Sequence, residues 1–253
     1  SDDTTLCQHR TTVGLSSTSL QPNPRLLRLY PGNGGHKPPP HFPMSSADRA
    51  PLVALFRSTG GTHWKWNKNW DTDADLSQWD GVHVNDDGRV VKLDLFYNNL
   101  KGTIPEALGA LTELKELYLH GNKLTGPIPE ALGALKELAI LDLGDNQLTG
   151  SIPAWLGSLK KLEKLWLYRN QLAGRIPEAL GALKELTELR LEDNKIMGPI
   201  PTWLGSQSKL RVLELNDNQL VGYVPKELGN LENLQRLYLQ NNLLTGGPAE
   251  DEG

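Results

Sequence analysis

Cysteine is almost absent from the sequence, since Cys7 is the only one in 253 residues. A single cysteine cannot form an internal disulfide. No Asn-x-Ser/Thr acceptor for N-glycosylation occurs either, although asparagine is abundant. Both features are common in secreted proteins, so their absence favours a reducing compartment. We therefore predict a cytoplasmic location, with an extracellular location as the alternative.

The sequence also lacks long apolar runs and a strong excess of charge of one sign. No stretch approaches the ~18 consecutive apolar residues that a membrane helix requires, so no membrane insertion is predicted. The formal net charge is -4 and the pI is about 5.9, which gives no reason to expect nucleic acid as a partner. Hydrophobic residues make up 38% of the chain, enough to bury a core.

Apolar periodicity is missing from the first 47 residues, which carry Ser, Thr, scattered Arg and the proline-rich run PGNGGHKPPPHFP. A segment of this composition cannot bury enough surface to offset the entropy lost on ordering. We predict a disordered extension over residues 1–47.

From Leu93 onward the pattern LxLxxNxL occurs seven times at an interval of 24 residues, without an insertion. A glycine follows each copy, and six copies continue into Ile-Pro or Val-Pro. The asparagines of the pattern are Asn98, Asn122, Asn146, Asn170, Asn194, Asn218 and Asn242. An exact repeat of this length predicts a solenoid, in which each unit buries its apolar face against its neighbours.

Each position of the repeat has a physical reason. The alternation in LxL predicts a short strand with both leucines on one face. The asparagine amide has donors and an acceptor for buried backbone groups of adjacent turns. Glycine permits the bend that follows, and proline prevents the return segment from forming a long helix. The asparagines should therefore line up inside the solenoid.

The combined pattern LxxLxLxxNxLxGxIPxxLGxL resembles the plant-type leucine-rich repeat of polygalacturonase inhibitors and receptor-kinase ectodomains. The resemblance implies an α/β solenoid, a right-handed superhelix with a concave parallel sheet. It also implies that LxGxIP forms a second sheet beside the first. Seven repeats would occupy residues 90–246, and the acidic segment GPAEDEG would form a tail over residues 247–253.

Residues 48–89 resemble the N-terminal cap of the same family, through DRAPLVALF and WDGVHVNDDGRVVKLDL. Ser77 and Val84 stand where the family has cysteines, so the disulfide of an extracellular cap is missing. Packing of four tryptophans is expected to replace it: Trp64, Trp66, Trp70 and Trp79. Caps without cysteine resemble those of brown-algal leucine-rich-repeat and ROCO proteins, but no GTPase motif GxxxxGK[ST] occurs.

The C-terminal end departs from the pattern, since Pro248 stands where isoleucine belongs. A solenoid normally ends in a polar capping unit. Three interpretations remain open: a loosely held last unit, a fragment of a longer protein, or self-association that covers this end.

Residues for catalysis or cofactor binding are scarce. DTDAD at 71–75 imitates the start of a calcium loop, but Leu76 and Val82 stand where that loop needs glycine and glutamate. The histidines show no metal-ligand spacing such as HExxH, and Cys7 has no motif that pairs it with a base. We predict no enzyme activity, no cofactor and no metal site.

The strand residues that point away from the core form the candidate binding surface. Aromatic and arginine side chains on a rigid sheet are typical of binding hot spots. We predict that nine residues contact a ligand: Phe96, Tyr118, His120, Asp142, Trp166, Tyr168, Arg190, Glu214 and Tyr238.

These features predict a non-catalytic recognition module that binds a protein or peptide on its concave face. One alternative is a sensory fragment of a larger receptor kinase or ROCO-type GTPase. A second is a secreted inhibitor of a cell-wall hydrolase. A hydrolase is the remaining alternative, and no nucleophile constellation supports it.

Overall fold

The computed structural model describes residues 47–246. The predictions for the extension, for Cys7 and for the tail at 247–253 lie outside these residues. The described part begins with helix α1 (Arg49–Ser58), which buries Leu52, Leu55 and Phe56 on one face. This i, i+3, i+4 spacing is that of an amphipathic helix. The helix ends at Thr59, whose backbone N–H donates to the carbonyl oxygen of Leu55.

Short strands make up most of the structure after this helix. In chain order they are β1 (Val82–Val84), β2 (Val90–Asp94), β3 (Lys101–Thr103), β4 (Glu116–Tyr118), β5 (Lys123–Gly126), β6 (Ile140–Asp142), β7 (Gln147–Leu148), β8 (Lys164–Trp166), β9 (Ala173–Gly174), β10 (Glu188–Arg190), β11 (Lys195–Gly198), β12 (Val212–Glu214), β13 (Gln219–Tyr223), β14 (Arg236–Tyr238) and β15 (Leu243–Thr245).

The concave sheet has eight strands in the order β1-β2-β4-β6-β8-β10-β12-β14. β1 pairs antiparallel with β2, and every later pair is parallel and in register. The first leucine of each LxL pairs with its copy in the next turn, for example Leu141 with Leu165 and Leu165 with Leu189. These leucines are fully buried, except Leu237 of the last repeat, which is 40% exposed. The predicted leucine-rich repeat solenoid is confirmed.

The LxGxIP segments form two further sheets rather than one. β3, β5 and β7 make a three-stranded sheet, and β9, β11, β13 and β15 make a four-stranded sheet. An isolated parallel bridge between Ser151 and Ala173 links the two at the point of interruption.

The return side of the solenoid consists of 3-10 helices. Two lie in the cap, Gly61–His63 and Leu76–Gln78. Six more follow, one after each Ile-Pro or Val-Pro: Glu106–Ala110, Glu130–Ala134, Ala154–Ser158, Glu178–Ala182, Thr202–Ser206 and Lys226–Asn230. Proline precedes each of these six in an extended conformation, so the chain enters the helix only after it. A Cβ at Gly109 would overlap the Ala131 carbonyl of the next turn, which explains glycine there.

Stacked asparagines hold adjacent turns together. Asn170 is buried; its Nδ2 donates to the carbonyl oxygens of Leu143, Leu167 and Tyr168 at 3.0–3.1 Å, and its Oδ1 accepts from the Leu148 N–H at 2.9 Å. The bond to the preceding turn recurs in the other repeats: Asn146 to Leu119, Asn194 to Leu167, Asn218 to Leu191 and Asn242 to Leu215. The expected internal alignment of the asparagines is confirmed.

The cap contains an aromatic cluster, as expected from its tryptophans. Trp64 and Trp70 lie 4.8 Å apart edge to face, Trp70 and Trp79 lie 5.0 Å apart, and Phe56 contacts Trp64 at 5.2 Å. The prediction was wrong for Trp66, which is 52% exposed. Its backbone instead pairs with Asn98, whose side chain accepts from the Trp66 N–H and donates to the Trp66 carbonyl oxygen.

A buried ion pair, which we did not predict, joins the two ends of the cap. Asp48 is fully buried, and its carboxylate accepts from Arg89 Nε at 3.0 Å and from the Val90 backbone N–H at 2.7 Å. These bonds tie the start of α1 to the start of β2 across 41 residues of chain. They join other cap elements than a disulfide at the positions of Ser77 and Val84 would, since Ser77 lies in the 3-10 helix Leu76–Gln78 and Val84 on β1.

The last repeat leaves apolar side chains exposed, with Leu237 at 40% and Leu243 at 64%. Self-association through this end stays a prediction. Within residues 47–246 no helix has both the length and the apolar character needed to cross a membrane.

Candidate functional site

The concave face presents two rows of side chains that alternate with the buried leucines. The first row lies on paired strand positions: Asp94, Tyr118, Asp142, Trp166, Arg190, Glu214 and Tyr238. The second row lies two residues further along each turn: Phe96, His120, Gly144, Tyr168, Glu192, Asn216 and Gln240. The structure thus brings all nine predicted residues onto these rows. Their contact with a ligand stays a prediction.

An aromatic patch occupies the cap half of the face, and we define it as Phe96, Tyr97, His120 and Tyr168. The rings of Phe96 and His120 stack with centres 5.1 Å apart. Tyr97 meets both edge to face, at 6.2 Å from Phe96 and 5.3 Å from His120. Stacked and edge-to-face contacts fix each ring in one orientation. The patch is therefore preorganised.

Tyr97 was missed by sequence reasoning. It stands directly before the repeat asparagine and has a φ of +47°. The equivalent slot in the other turns also has positive φ: Gly121, Asp145, Arg169, Asp193, Asp217 and Asn241. Residues such as Gly, Asn and Asp adopt this conformation more readily than tyrosine. An aromatic residue in that slot was the signal that could have identified Tyr97.

Two glycines make room for the aromatic rings. A Cβ at Gly121 would overlap the ring of Tyr97, and a Cβ at Gly144 would overlap the ring of Tyr168. Each ring therefore lies directly against the backbone of a neighbouring turn. Such close contact leaves the rings little rotational freedom to lose when a ligand binds.

Asp142 contacts His120 of the aromatic patch. Its side chain is buried, and its Oδ2 lies 2.7 Å from His120 Nδ1, while its Oδ1 accepts from the Gly144 N–H at 3.1 Å. We predicted Asp142 as a ligand contact. In the structure its carboxylate is buried against His120, and its contact with a ligand stays a prediction.

The turns from β8 to β12 carry a charged network around Trp166. Lys164 and Arg190 both lie 5.2 Å from the centre of the Trp166 ring, and Trp166 Nε1 donates to Glu188 at 3.2 Å. Glu188 also lies 3.2 Å from Lys164 and 3.4 Å from Arg190. Cations over an indole ring are held by its quadrupole, and together these contacts set the ring position. Glu214 is buried, 4.0 Å from Arg190.

Tyr118 and Tyr168 have phenols that stay neutral at physiological pH. Burial, together with the nearby carboxylate of Glu116, raises the pKa of Tyr118 to about 12. Burial also raises the pKa of Tyr168, with Asp142 the largest of the neighbouring charges that add to it. Lys92 Nζ lies 4.8 Å from the centre of the Tyr118 ring. Both phenols therefore keep their O–H donor, and that of Tyr118 is already hydrogen-bonded to Glu116.

Glu192 of the second row has a raised pKa. Burial raises its pKa to about 7, and the carboxylate of Glu214 adds to the shift, whereas Arg190 opposes it. The protonated form is favoured in the folded state because it avoids a partly desolvated charge beside a second carboxylate.

Stability should therefore fall as pH rises through the range set by Glu192. The folded pKa lies above the ordinary value of 4.5, so the folded state binds more protons than the unfolded state between these values. The free energy of unfolding is not reduced by Glu192 at low pH, and it is reduced by the full amount above a pH of about 7. After allowance for solvent screening we expect Glu192→Gln to remove about 1 kcal/mol of this loss. Urea unfolding at about pH 5 and about pH 8 would measure it.

Glu178→Gln is the matched control, since Glu178 is exposed on the return side of the solenoid. It should keep the pH dependence of the unchanged protein. An unchanged pH dependence in Glu192→Gln would contradict the assignment.

No group of three or more His, Cys, Asp or Glu side chains is placed to hold a metal ion within the described range 47–246. In the DTDAD segment, Asp71 forms an ion pair with Arg57 at 3.1 Å.

Comparison with known proteins places the chain among repeat proteins. The family described as leucine rich repeat matches residues 88–148, 136–196 and 184–244. A search of curated proteins finds no match.

Three solved structures are similar to this chain, and two of them are receptor kinases. The PEPR1–AtPEP1 structure is 34% identical over 80% of this chain, with a TM-score of 0.72. The ectodomain of the membrane receptor kinase GASSHO1/SCHENGEN3 from Arabidopsis thaliana, in complex with CASPARIAN STRIP INTEGRITY FACTOR 2, is 37% identical over 78%, with a TM-score of 0.73. Pollen Receptor Kinase 3 is 30% identical over 80%, with a TM-score of 0.68. This chain covers 29%, 24% and 99% of those chains respectively.

The prediction of a cytoplasmic location is wrong. Similar structures include receptor-kinase ectodomains, which points to an extracellular location. The absence of cysteine does not exclude an extracellular cap, because an ion pair with a buried carboxylate and an aromatic cluster stabilise this cap without a disulfide. The repeat register, the family match and these structures together show that the chain belongs to the plant-type leucine-rich repeat family.

Proposed function

We propose that this chain is a non-catalytic recognition module that binds an extended peptide or protein segment across its concave face. The observation that carries the proposal is the aromatic patch together with Trp166. These rings are held in place by stacking, by cation contacts and by backbone on a rigid sheet. Exposed aromatics that are already immobilised lose little entropy on binding, so contacts with them yield a large net affinity.

The dimensions of the face suit a peptide. Seven parallel strands at about 4.8 Å spacing span roughly 29 Å, the length of about 9 extended residues. Two similar structures support this occupant. One is PEPR1–AtPEP1, and the other is the GASSHO1/SCHENGEN3 ectodomain in complex with CASPARIAN STRIP INTEGRITY FACTOR 2. Among the alternatives, they favour a receptor-type sensory module over a hydrolase inhibitor.

The face also has a polarity that should orient the ligand. Phe96, Tyr97 and His120 offer apolar ring surface at the cap half. Lys164, Glu188 and Arg190 offer charge at the other half. We expect a ligand with aromatic or aliphatic residues toward the cap and charged residues toward the last repeats.

The double variant Trp166→Ala with Tyr168→Ala tests the assignment. A displayed library of about 9-residue peptides would supply ligands selected on the unchanged protein. Because both rings would be hot spots, we expect the double variant to lose about 30-fold or more in affinity for them, measured by calorimetry.

Tyr223→Ala is the control, since Tyr223 is aromatic and 52% exposed but lies on β13, outside the concave sheet. It should bind as the unchanged protein does. Equal affinity of the double variant and the unchanged protein would rule out this location for the site.

A further inference from the structure

A cleft of about 320 Å³ lies between the cap and the first repeat, at the edge of the concave face. It is lined by Trp66, Asp80, Gly81, His83, Asp94, Leu95, Phe96 and Asn98. Four of these eight residues belong to the cap and four to the first repeat. The cleft is therefore a feature that the repeat pattern does not explain.

Exposed aromatic surface is the first notable property of the cleft. Trp66 is 52% exposed and Phe96 is 42% exposed. Neither ring belongs to the core, yet the Trp66 backbone is fixed by two hydrogen bonds to Asn98 of the first repeat. Lys65 Nζ lies 5.8 Å from the centre of the Trp66 ring, so this ring already attracts a cation.

Negative charge is the second property. Asp80 and Asp94 both line the cleft. Lys92 Nζ lies 3.3 Å from Asp94 Oδ2 and 3.6 Å from Glu116 Oε2, so one ammonium group is shared between two carboxylates. The other oxygen of Asp94, Oδ1, is buried and has no hydrogen-bond partner among residues 47–246. The carboxylate thus holds one acceptor that no donor of the described protein satisfies.

The backbone around Asp94 is rigid. Its N–H donates to the Gly81 carbonyl oxygen at 2.7 Å. This hydrogen bond joins the last residue of β2 to the residue that precedes β1. Gly81 has a φ of +76°, and a Cβ there would overlap the Asp94 carbonyl. This close approach keeps the carboxylate in a fixed position relative to the rings.

We infer that the cleft binds the guanidinium group of an arginine side chain. A guanidinium is planar, stacks on aromatic faces and pairs with carboxylates, whereas an ammonium group is a compact and strongly hydrated point charge. Two exposed rings and two carboxylates in one cleft therefore match arginine better than lysine. The cleft adjoins Phe96 of the aromatic patch, so the arginine would belong to the same ligand. Only this last step rests on the proposed function.

The test uses N-acetyl-arginine methylamide as the probe, titrated into the whole protein and followed by ¹H–¹⁵N NMR. We expect roughly millimolar binding, with shifts centred on Trp66, Asp80 and Asp94. The analogue of citrulline, which is isosteric but uncharged, should bind at least about 10-fold more weakly, and so should the lysine analogue. Binding of either analogue as tight as that of arginine would overturn the inference.

Variants locate the probe. Trp66→Ala and Asp94→Asn should each weaken probe binding about 10-fold or more. Asp87→Asn removes the same charge from an exposed position of the β1–β2 hairpin and should leave binding unchanged. Trp66 packs no core surface, so its variant should keep the unfolding midpoint and remain interpretable. Unaltered probe binding in Trp66→Ala and Asp94→Asn would also overturn the inference.

The probe separates this inference from the proposed function. Selected peptides that bind the concave face while the arginine probe fails would overturn the inference alone. Probe binding in the cleft without any peptide that depends on Trp166 and Tyr168 would support the inference and count against the proposed function.

Discussion

Asn170→Ala should lower the free energy of unfolding by about 3 to 5 kcal/mol. The substitution removes four hydrogen bonds at once, three donated by Asn170 Nδ2 and one accepted by its Oδ1. The Leu148 N–H is left without a partner, which costs about 1–3 kcal/mol. The carbonyl oxygens of Leu143, Leu167 and Tyr168 each keep another donor, so each of those lost bonds costs about 0.5–1.5 kcal/mol. Partial access of water to the site keeps the total below the sum. Urea unfolding followed by circular dichroism would measure the loss.

Two further substitutions show which hydrogen bonds of Asn170 account for the loss in the free energy of unfolding. Asn170→Asp keeps the acceptor for the Leu148 N–H but loses the donors, so its cost should approach that of alanine. Gln171→Ala changes the adjacent exposed side chain and should cost less than about 0.5 kcal/mol. A small loss in Asn170→Ala would mean that the asparagines do not stabilise the stacking.

Asp48→Ala should cost about 3 kcal/mol. The carboxylate is fully buried, and its removal leaves the Val90 N–H and the partly buried Arg89 guanidinium without that partner. Breaking a buried pair in this way costs about 3–5 kcal/mol, and the partial exposure of Arg89 places this case at the lower end. Hydrogen exchange should localise the loss to α1 and the β1–β2 hairpin.

Arg57→Ala is the matched control for this pair. Arg57 forms an ion pair with Asp71 at a similar distance of 3.1 Å, but its side chain is 69% exposed. Exposed pairs contribute about 0–1 kcal/mol, so this variant should be nearly neutral. Equal losses in the two variants would show that burial does not set the strength of the Asp48–Arg89 pair.

The sequence predicts what recurs and misses what occurs once. Asn170 was assigned correctly because each copy of the asparagine faces the same backbone groups in its own turn. Asp48 had no such periodic signal, and its partner Arg89 lies 41 residues away. Trp66 was grouped with the other cap tryptophans by residue type alone. Its exposure depends on where the backbone meets Asn98, which composition does not encode.

The concave rows show the same limit at the level of side chains. Alternation with the leucines correctly places Asp142 and Trp166 on one row. It does not reveal that Asp142 is buried against His120, since that contact joins residues of different turns. Whether a row residue faces a ligand or supports its neighbour depends on the pair of side chains, and the repeat pattern specifies only the backbone.

The asparagine bonds also make the length of the protein adjustable in whole units. Excision of residues 143–166 would bring Asn170 opposite the Leu119 carbonyl oxygen, which Asn146 contacts now. Asn170 would then donate to Leu119 as it now donates to Leu143, so the two joined turns would keep an equivalent hydrogen bond. Insertion of one complete 24-residue turn would likewise leave each asparagine opposite an equivalent carbonyl oxygen of the preceding turn. The width of the surface offered to a ligand can therefore change during evolution only in increments of one strand, about 4.8 Å each, while the surrounding turns keep their contacts.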